Sequence, residues 1–362
     1  MQGLRVDGHP SNRAWLPERF VTAGGRLDFR LGPRPDRQWG TATSDAPPSF
    51  HEGEVPVRGF VTPGRVVVAP GGTATATVRA ERLTGAGTVG WIAEPPPGIT
   101  VTPTAGTLAA GASQPVTVRS TGATTGFHQI RIRFAGSSGT TQPPLGLDVT
   151  VAVPGSLPAA YNNAGTSDAT RPWRTEFGST QRYPGSYAFA YPADELPKAG
   201  LSPGAPVTAN GMVFRWPDSR PGQPDNATAG GTLDLSAAPA GATRLAFLGA
   251  ASEGDLARHG AVGIVRISYT DGSTQDAELA LSDWLLGDGS EQPAYRNTVV
   301  ARTPYVNSSF PRYILRLRRA YPAHVFATAP IPLDPAKRVR SLTLPASWDG
   351  GGVGHVFSYA VS

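Results

Sequence analysis

The stretch GIVRISYTDGSTQDAELAL, residues 263–281, reads as two runs of alternating apolar and polar residues joined at Asp271-Gly272. Alternation with period two puts every second side chain on one face of a sheet, and Asp-Gly favours a tight turn, so the segment predicts an antiparallel β-hairpin. The same rhythm continues on either side. HQIRIRFA (128–135) sets Ile130, Ile132 and Phe134 against Arg131 and Arg133, and LGLDVTVAV (145–153) points Leu147, Val149, Val151 and Val153 inward. TATATVR (73–79), VGWIAE (89–94) and QPVTVRS (114–120) are further strands. The 44 Gly and 36 Pro fall in short clusters between such runs, as turns between many short strands require. No long segment keeps a 3.6-residue apolar period; YPADELPKAGL (191–201) predicts one short helix at most. The expected class is all-β.

The rhythm also divides the chain. Residues 1–45 hold a short strand-bearing segment, and residues 46–59 (APPSFHEGEVPVRG) lack periodicity and read as a linker. Residues 60–154, with about seven strands, have the spacing of an Ig-like β-sandwich. Residues 155–362 form a larger, jelly-roll-like β-sandwich, entered through the joint PGSLPAA (154–160). Near its end a phrase repeats, AHVFATAP (323–330) and GHVFSYAV (354–361), with the strand VRSLTLP between, which suggests a sandwich that closes there. In the first segment Leu27, Phe29 and Leu31 alternate with Arg26, Asp28 and Arg30. Two or three short strands cannot bury such a face alone, so it is expected to lie against a body outside this sequence and to be the least stable part.

Composition excludes several classes. The net charge is +5, and among 32 basic residues only Lys198 and Lys337 are lysine. The densest run, RYILRLRRAY (312–321), puts Tyr313, Leu315 and Leu317 on one strand face and Arg316 and Arg318 on the other, a solvated face rather than a nucleic-acid footprint. There is no Cys, so neither disulfides nor thiolate chemistry. No apolar run approaches a membrane span, and MQGLRVDGHPSNR has no signal-peptide h-region.

Familiar catalytic motifs are missing. Gly85, Gly87 and Gly90 spell G-x-G-x-x-G, but Pro95–Pro97 follow where a dinucleotide site needs a helix N-terminus, so the motif reads as a turn. The six histidines are scattered, though His324 and His355 hold matching places in the repeated phrase and could form a metal pair; strand histidines near a sheet edge are the plainer reading. Asp283 and Asp288, around SDWLLGDG, are acids of the kind glycoside hydrolysis needs, and equally calcium ligands or turn formers.

What remains is a set of loops bearing aromatic and amide side chains: Tyr161-Asn162-Asn163 with Asp168, Trp173, FRWPD (214–218) with Trp216, Asp225-Asn226, and Asp283-Trp284. Aromatic faces stack on the C–H face of a pyranose while Asn, Asp and Arg bond its hydroxyls, so Tyr161, Asn162, Trp173, Trp216, Asp225, Asn226 and Trp284 are candidate carbohydrate contacts. The competing expectation places Trp216 and Trp284 in the core. Asp168 and Asp283 are candidate ligands for a structural calcium; no other cofactor is expected.

Residues 3–42 carry a resemblance. Val6-Asp7-Gly8, Trp15-Leu16, the run Gly24 to Gly32 (GGRLDFRLG) and Trp39-Gly40 resemble, in order and spacing, the C-terminal end of the catalytic region of glycoside hydrolase family 92, the calcium-dependent exo-α-mannosidases. Glu18 departs from the pattern near the place where the family often has His. The match covers about 45 of 362 residues. The family's acid, base and calcium carboxylates lie upstream of such a tail, so no catalytic residue is carried over. Residues 60–154 resemble the Ig-like domain found beside carbohydrate-binding modules in bacterial α-galactosidases. The remainder, with AYNNAGTSD, GQPDN, LGAAS and HVFATAPIPLDP, is similar to a β-sandwich appended to secreted actinobacterial glycosidases.

The resemblance implies a non-catalytic accessory region of a secreted, extracellular α-mannosidase that binds a glycan or polysaccharide, its other partner being the upstream catalytic domain. Neither nucleic acid nor membrane is an expected partner. Two other classes stay open: a spacer or surface protein without a ligand, and a glycoside hydrolase in its own right, which needs carboxylates converging in one pocket.

Overall fold

The computed structural model describes residues 2–16, 20, 23–34, 36, 38–42, 45, 57–82, 87–122, 125–136, 142–168, 188–252, 259–310, 315–349 and 352–362. They are almost all β, with single helical turns at Leu157–Ala160 and Leu286–Gly289. Among them no helix is long and apolar enough to cross a membrane. In the segment 191–201, Tyr191 and Pro192 end the strand Ala188–Pro192 and residues 193–200 are turns; Pro197, which lacks an N–H, sits among them and stops a helix from propagating.

Near the start, Gly3–Val6 lies between His9–Ser11 and Leu27–Arg30 in a three-stranded antiparallel sheet. Leu4 is its one buried apolar residue, while Phe29 is 56% and Leu31 75% exposed.

A β-sandwich follows. One sheet has the order Val57–Thr62, Thr73–Arg82, Ser113–Ser120, Ile99–Thr102; the other has Arg65–Val68, Leu145–Val151, Gly126–Gly136, Thr88–Glu94, Ala105–Ala109. Ile130, Ile132, Phe134, Leu147 and Val149 meet Val78, Val116 and Val118 in one core, each fully or almost fully buried. The alternation marked those residues, with one correction: Val153 is exposed, because the strand ends at Val151 and the period lapses with it.

The C-terminal part is a sandwich whose middle sheet is covered on both faces. Its central strand, Arg244–Ser252, pairs with Val353–Val361 on one side and with Ala323–Ala327 and Ile331–Pro332 on the other. Leu245, Phe247 and Ala251 face an outer sheet built from Thr232–Asp234, Val339–Thr343 and the hairpin Gly260–Tyr269/Thr274–Ser282. Ala246, Leu248 and Ala250 face Tyr191, Trp216, Phe326, Phe357 and the short hairpin Pro206–Ala209/Met212–Arg215. Double coverage explains why LAFLGAAS is an unbroken apolar run instead of an alternating one. The repeated phrases do flank a third strand, but that strand is Arg244–Ser252; VRSLTLP lies in the opposite sheet.

In the hairpin over 263–281, the Tyr269 N–H bonds the Ser273 carbonyl and Gly272 takes φ +84°, a loop closed by a left-handed glycine. Asp271 accepts from the Ser273 N–H and hydroxyl, fixing the turn.

Candidate functional site

The loops carrying Tyr161-Asn162-Asn163 and Asp225-Asn226 come together, bridged between Asn163 and Asn226. Asp225 is 1% exposed. Its Oδ1 accepts from the Gly165 N–H (2.6 Å) and Asn226 Nδ2 (2.7 Å), and its Oδ2 from the Thr166 N–H (2.9 Å) and hydroxyl (2.6 Å). Asn226 Oδ1 lies 2.9 Å from His355 Nδ1, which also has Asn163 Nδ2 at 3.0 Å, and His355 Nε2 lies 2.8 Å from Ser252 Oγ. Carboxylate, amide, imidazole and hydroxyl thus form one buried polar chain that ties both loops to the middle sheet. A Cβ on Gly165 would stand 2.9 Å from Asn226 Nδ2 and from the Phe357 ring, so only glycine allows this approach.

Ser252, His355 and Asn226 stand in the order of nucleophile, base and orienting group. Their burial argues against that use: Ser252 is 2% exposed, and desolvation pushes the His355 imidazole down to about 3, leaving it neutral and weakly basic. The network is a fastening. Its pH behaviour follows from two opposed groups. Burial holds Asp225 up at about 6 against the hydrogen bonds that pull it down, so its contribution to stability is full below its ordinary 3.8 and lost as pH rises through about 6. His355, lowered from 6.5, contributes fully above 6.5 and loses that contribution as pH falls toward about 3. Between about pH 4 and 6 the slopes cancel, and stability from urea titrations should be flat there, falling below pH 4. In Asp225→Asn only the imidazole arm remains, and stability should fall by about 1.4 kcal/mol per pH unit from pH 6 downward. A wild-type curve falling steeply from pH 6 would refute the pairing.

The other candidates are placed as follows. The Tyr161 hydroxyl donates to the Phe357 carbonyl at 2.7 Å, and burial pushes its phenol well up. Asn162 is exposed, its Oδ1 accepting from the Thr228 N–H and hydroxyl. Trp173 lies outside the described residues. Trp216 (3% exposed) stacks on Phe357 with ring centroids 4.8 Å apart, and Trp284 (2% exposed) meets Tyr191 edge-on at 5.1 Å. Neither indole offers an open face to a sugar, because the chain's own aromatic residues cover it. Asp283 Oδ1 accepts from the Leu285 and Leu286 N–H groups, a turn-forming role. Asp168 is half-buried after the strand Thr166–Ser167. Calcium takes about six to eight oxygen ligands. Among the described residues no group of three or more His, Cys, Asp or Glu gathers to hold a metal. His324 Nδ1 is turned to the Trp284 carbonyl, 3.2 Å away, and His355 to Ser252 and Asn226, so the pair shares no ligand position.

The open feature beside the network is a cleft of about 390 Å³ between the first sandwich and the C-terminal part. Phe127 and Thr150 line it from one side; Tyr161, Arg215, Trp216, Asp218, Gln223 and Tyr359 from the other. Phe127 and Tyr359 are half-buried and Arg215 and Asp218 exposed, so apolar rings stand beside charged and amide groups. FRWPD marked Arg215, Trp216 and Asp218 in the sequence; Phe127 and Tyr359 carried no signal, since strands far apart in the chain bring them there.

The described residues define a protein of β-sandwich domains. Compared by sequence, the chain matches no protein-family model and no curated protein. Among solved structures it is similar to WR4, a Caenorhabditis elegans MSP family member (14% identity, 27% of this chain and 100% of that one, TM-score 0.23). It is also similar to the PapD-like domain 7 of human CEP192 (12%, 34% and 94%, TM-score 0.22). A third is the CsuC–CsuE chaperone–tip adhesion subunit complex of Acinetobacter baumannii (8%, 62% and 87%, TM-score 0.22). These neighbours have Ig-like β-sandwich folds.

Proposed function

We propose that this chain is an extracellular, non-catalytic accessory region that binds carbohydrate in the cleft between its two larger parts and holds a catalytic region of α-mannosidase type near its glycan. The observation that carries the reading is the cleft's composition. Phe127 and Tyr359 can cover the C–H face of a pyranose while Arg215, Asp218 and Gln223 reach its hydroxyls. A cleft of about 390 Å³ at a junction of two folded parts has the size and position common for small-ligand sites. The mannosidase association rests on the motifs within residues 3–42. Phe29, exposed on the first sheet, and Leu31, exposed just past the end of its strand, supply an apolar surface for such a region to cover. Tethering then raises the local concentration of the catalytic region at its polymer.

Affinity electrophoresis through gels containing mannan, N-glycan glycoprotein or cell-wall polysaccharide tests this. Retardation by one polymer is expected, and Phe127→Ala with Arg215→Ala should weaken it at least tenfold, about 1.4 kcal/mol. Unretarded wild-type migration in every gel would leave a spacer.

A further inference from the structure

Residues 294–297 form a tight turn in which the Asn297 N–H bonds the Ala294 carbonyl at 3.0 Å. Its two central residues, Tyr295 and Arg296, have φ +55° and +56°. Positive φ at both centres is the requirement of a type I′ turn, which Asn-Gly meets with little strain and Tyr-Arg does not. Two successive left-handed residues with large side chains persist only where neighbours over-determine them, and such places cluster at functional sites. The neighbours here are plain. Asn297, 8% exposed, accepts from the Ser282 N–H (2.8 Å) and hydroxyl (3.1 Å) and donates to the carbonyls of Ala280 (3.2 Å) and Tyr295 (3.4 Å). The Ser282 hydroxyl also contacts the Ala294 carbonyl at 2.9 Å.

The turn borders a depression of about 280 Å³ shared with Glu278, Thr328 and Ala329. Tyr295 is half-buried, and Arg296 and Glu278 are exposed. We infer that the Tyr295-Arg296 turn is a second carbohydrate subsite, taking a single neutral sugar unit. The Tyr295 ring stacks on its C–H face, Arg296 donates to its hydroxyl oxygens and Glu278 accepts from its hydroxyl protons. A neutral polyol suits a pair of opposite charges, since each hydroxyl both donates and accepts. This inference rests on the carbohydrate reading above but on different residues.

The test is calorimetric titration of the full chain with manno-oligosaccharides and free N-glycans, beside thermal unfolding. Replacing both centres, Tyr295→Asn with Arg296→Gly, should relieve the backbone and raise the melting temperature by about 2–4 °C while removing one of two binding events. Tyr295→Phe should keep that event and Tyr295→Ala should weaken it at least tenfold. A double variant with unchanged binding, or with a lower melting temperature, overturns the inference. If Phe127→Ala with Arg215→Ala abolishes all binding and the turn variants abolish none, this subsite falls and the cleft stands; the reverse pattern leaves this subsite and removes the cleft. Absence of any binding by the wild type removes both.

Discussion

Asp225→Ala is expected to cost about 3–5 kcal/mol of folding stability, a large share of the roughly 5–15 kcal/mol that holds a domain together. The substitution leaves three donors without an acceptor, the Gly165 and Thr166 N–H groups and the Thr166 hydroxyl, and takes from Asn226 Nδ2 one of its two acceptors, the Asn163 carbonyl remaining. All belong to buried residues, and each orphaned donor costs about 1–3 kcal/mol. The loss is less than the sum because the wild type already bears the cost of burying a carboxyl, which is why that group titrates near 6. Urea unfolding followed by far-UV circular dichroism measures it. A loss under about 1 kcal/mol would mean that water serves these donors as well as Asp225 does.

Trp216→Ala is expected to remove about 3–5 kcal/mol. The indole is enclosed, stacked on Phe357, and packed in the core with Phe214 and Leu248. Its loss opens a cavity that a β-sheet pinned on both faces closes poorly. A sugar platform exposed to solvent would behave oppositely, losing binding while stability held. The same urea titration therefore separates core from platform, and an unchanged midpoint would return Trp216 to the surface role that its sequence context invites.

Trp216 shows how far the sequence could be read. Alternation located the strands of the first sandwich down to the inward set Ile130, Ile132 and Phe134, because one buried face leaves a period-two trace. The middle sheet of the C-terminal part leaves none. With both faces covered, LAFLGAAS and HVFSYAV read only as apolar runs, and the partner of the repeated phrase could not be deduced from them. The loops Tyr161-Asn162-Asn163 and Asp225-Asn226 were recognisable as polar and special. Their use as a fastening depends on His355 and Ser252, contributed by strands that only the fold brings together. Phe127 was invisible for the same reason: half-buried strand aromatics are ordinary until a second body stands opposite.

If the two larger parts grip one glycan between them, hydrogen exchange on the full chain should slow on both walls of the cleft at once when the retarding polysaccharide is added, at residues 125–127 and 150–151 and at 215–219 and 223. Unchanged exchange at those positions under saturating polysaccharide, or protection confined to one wall, would contradict that grip.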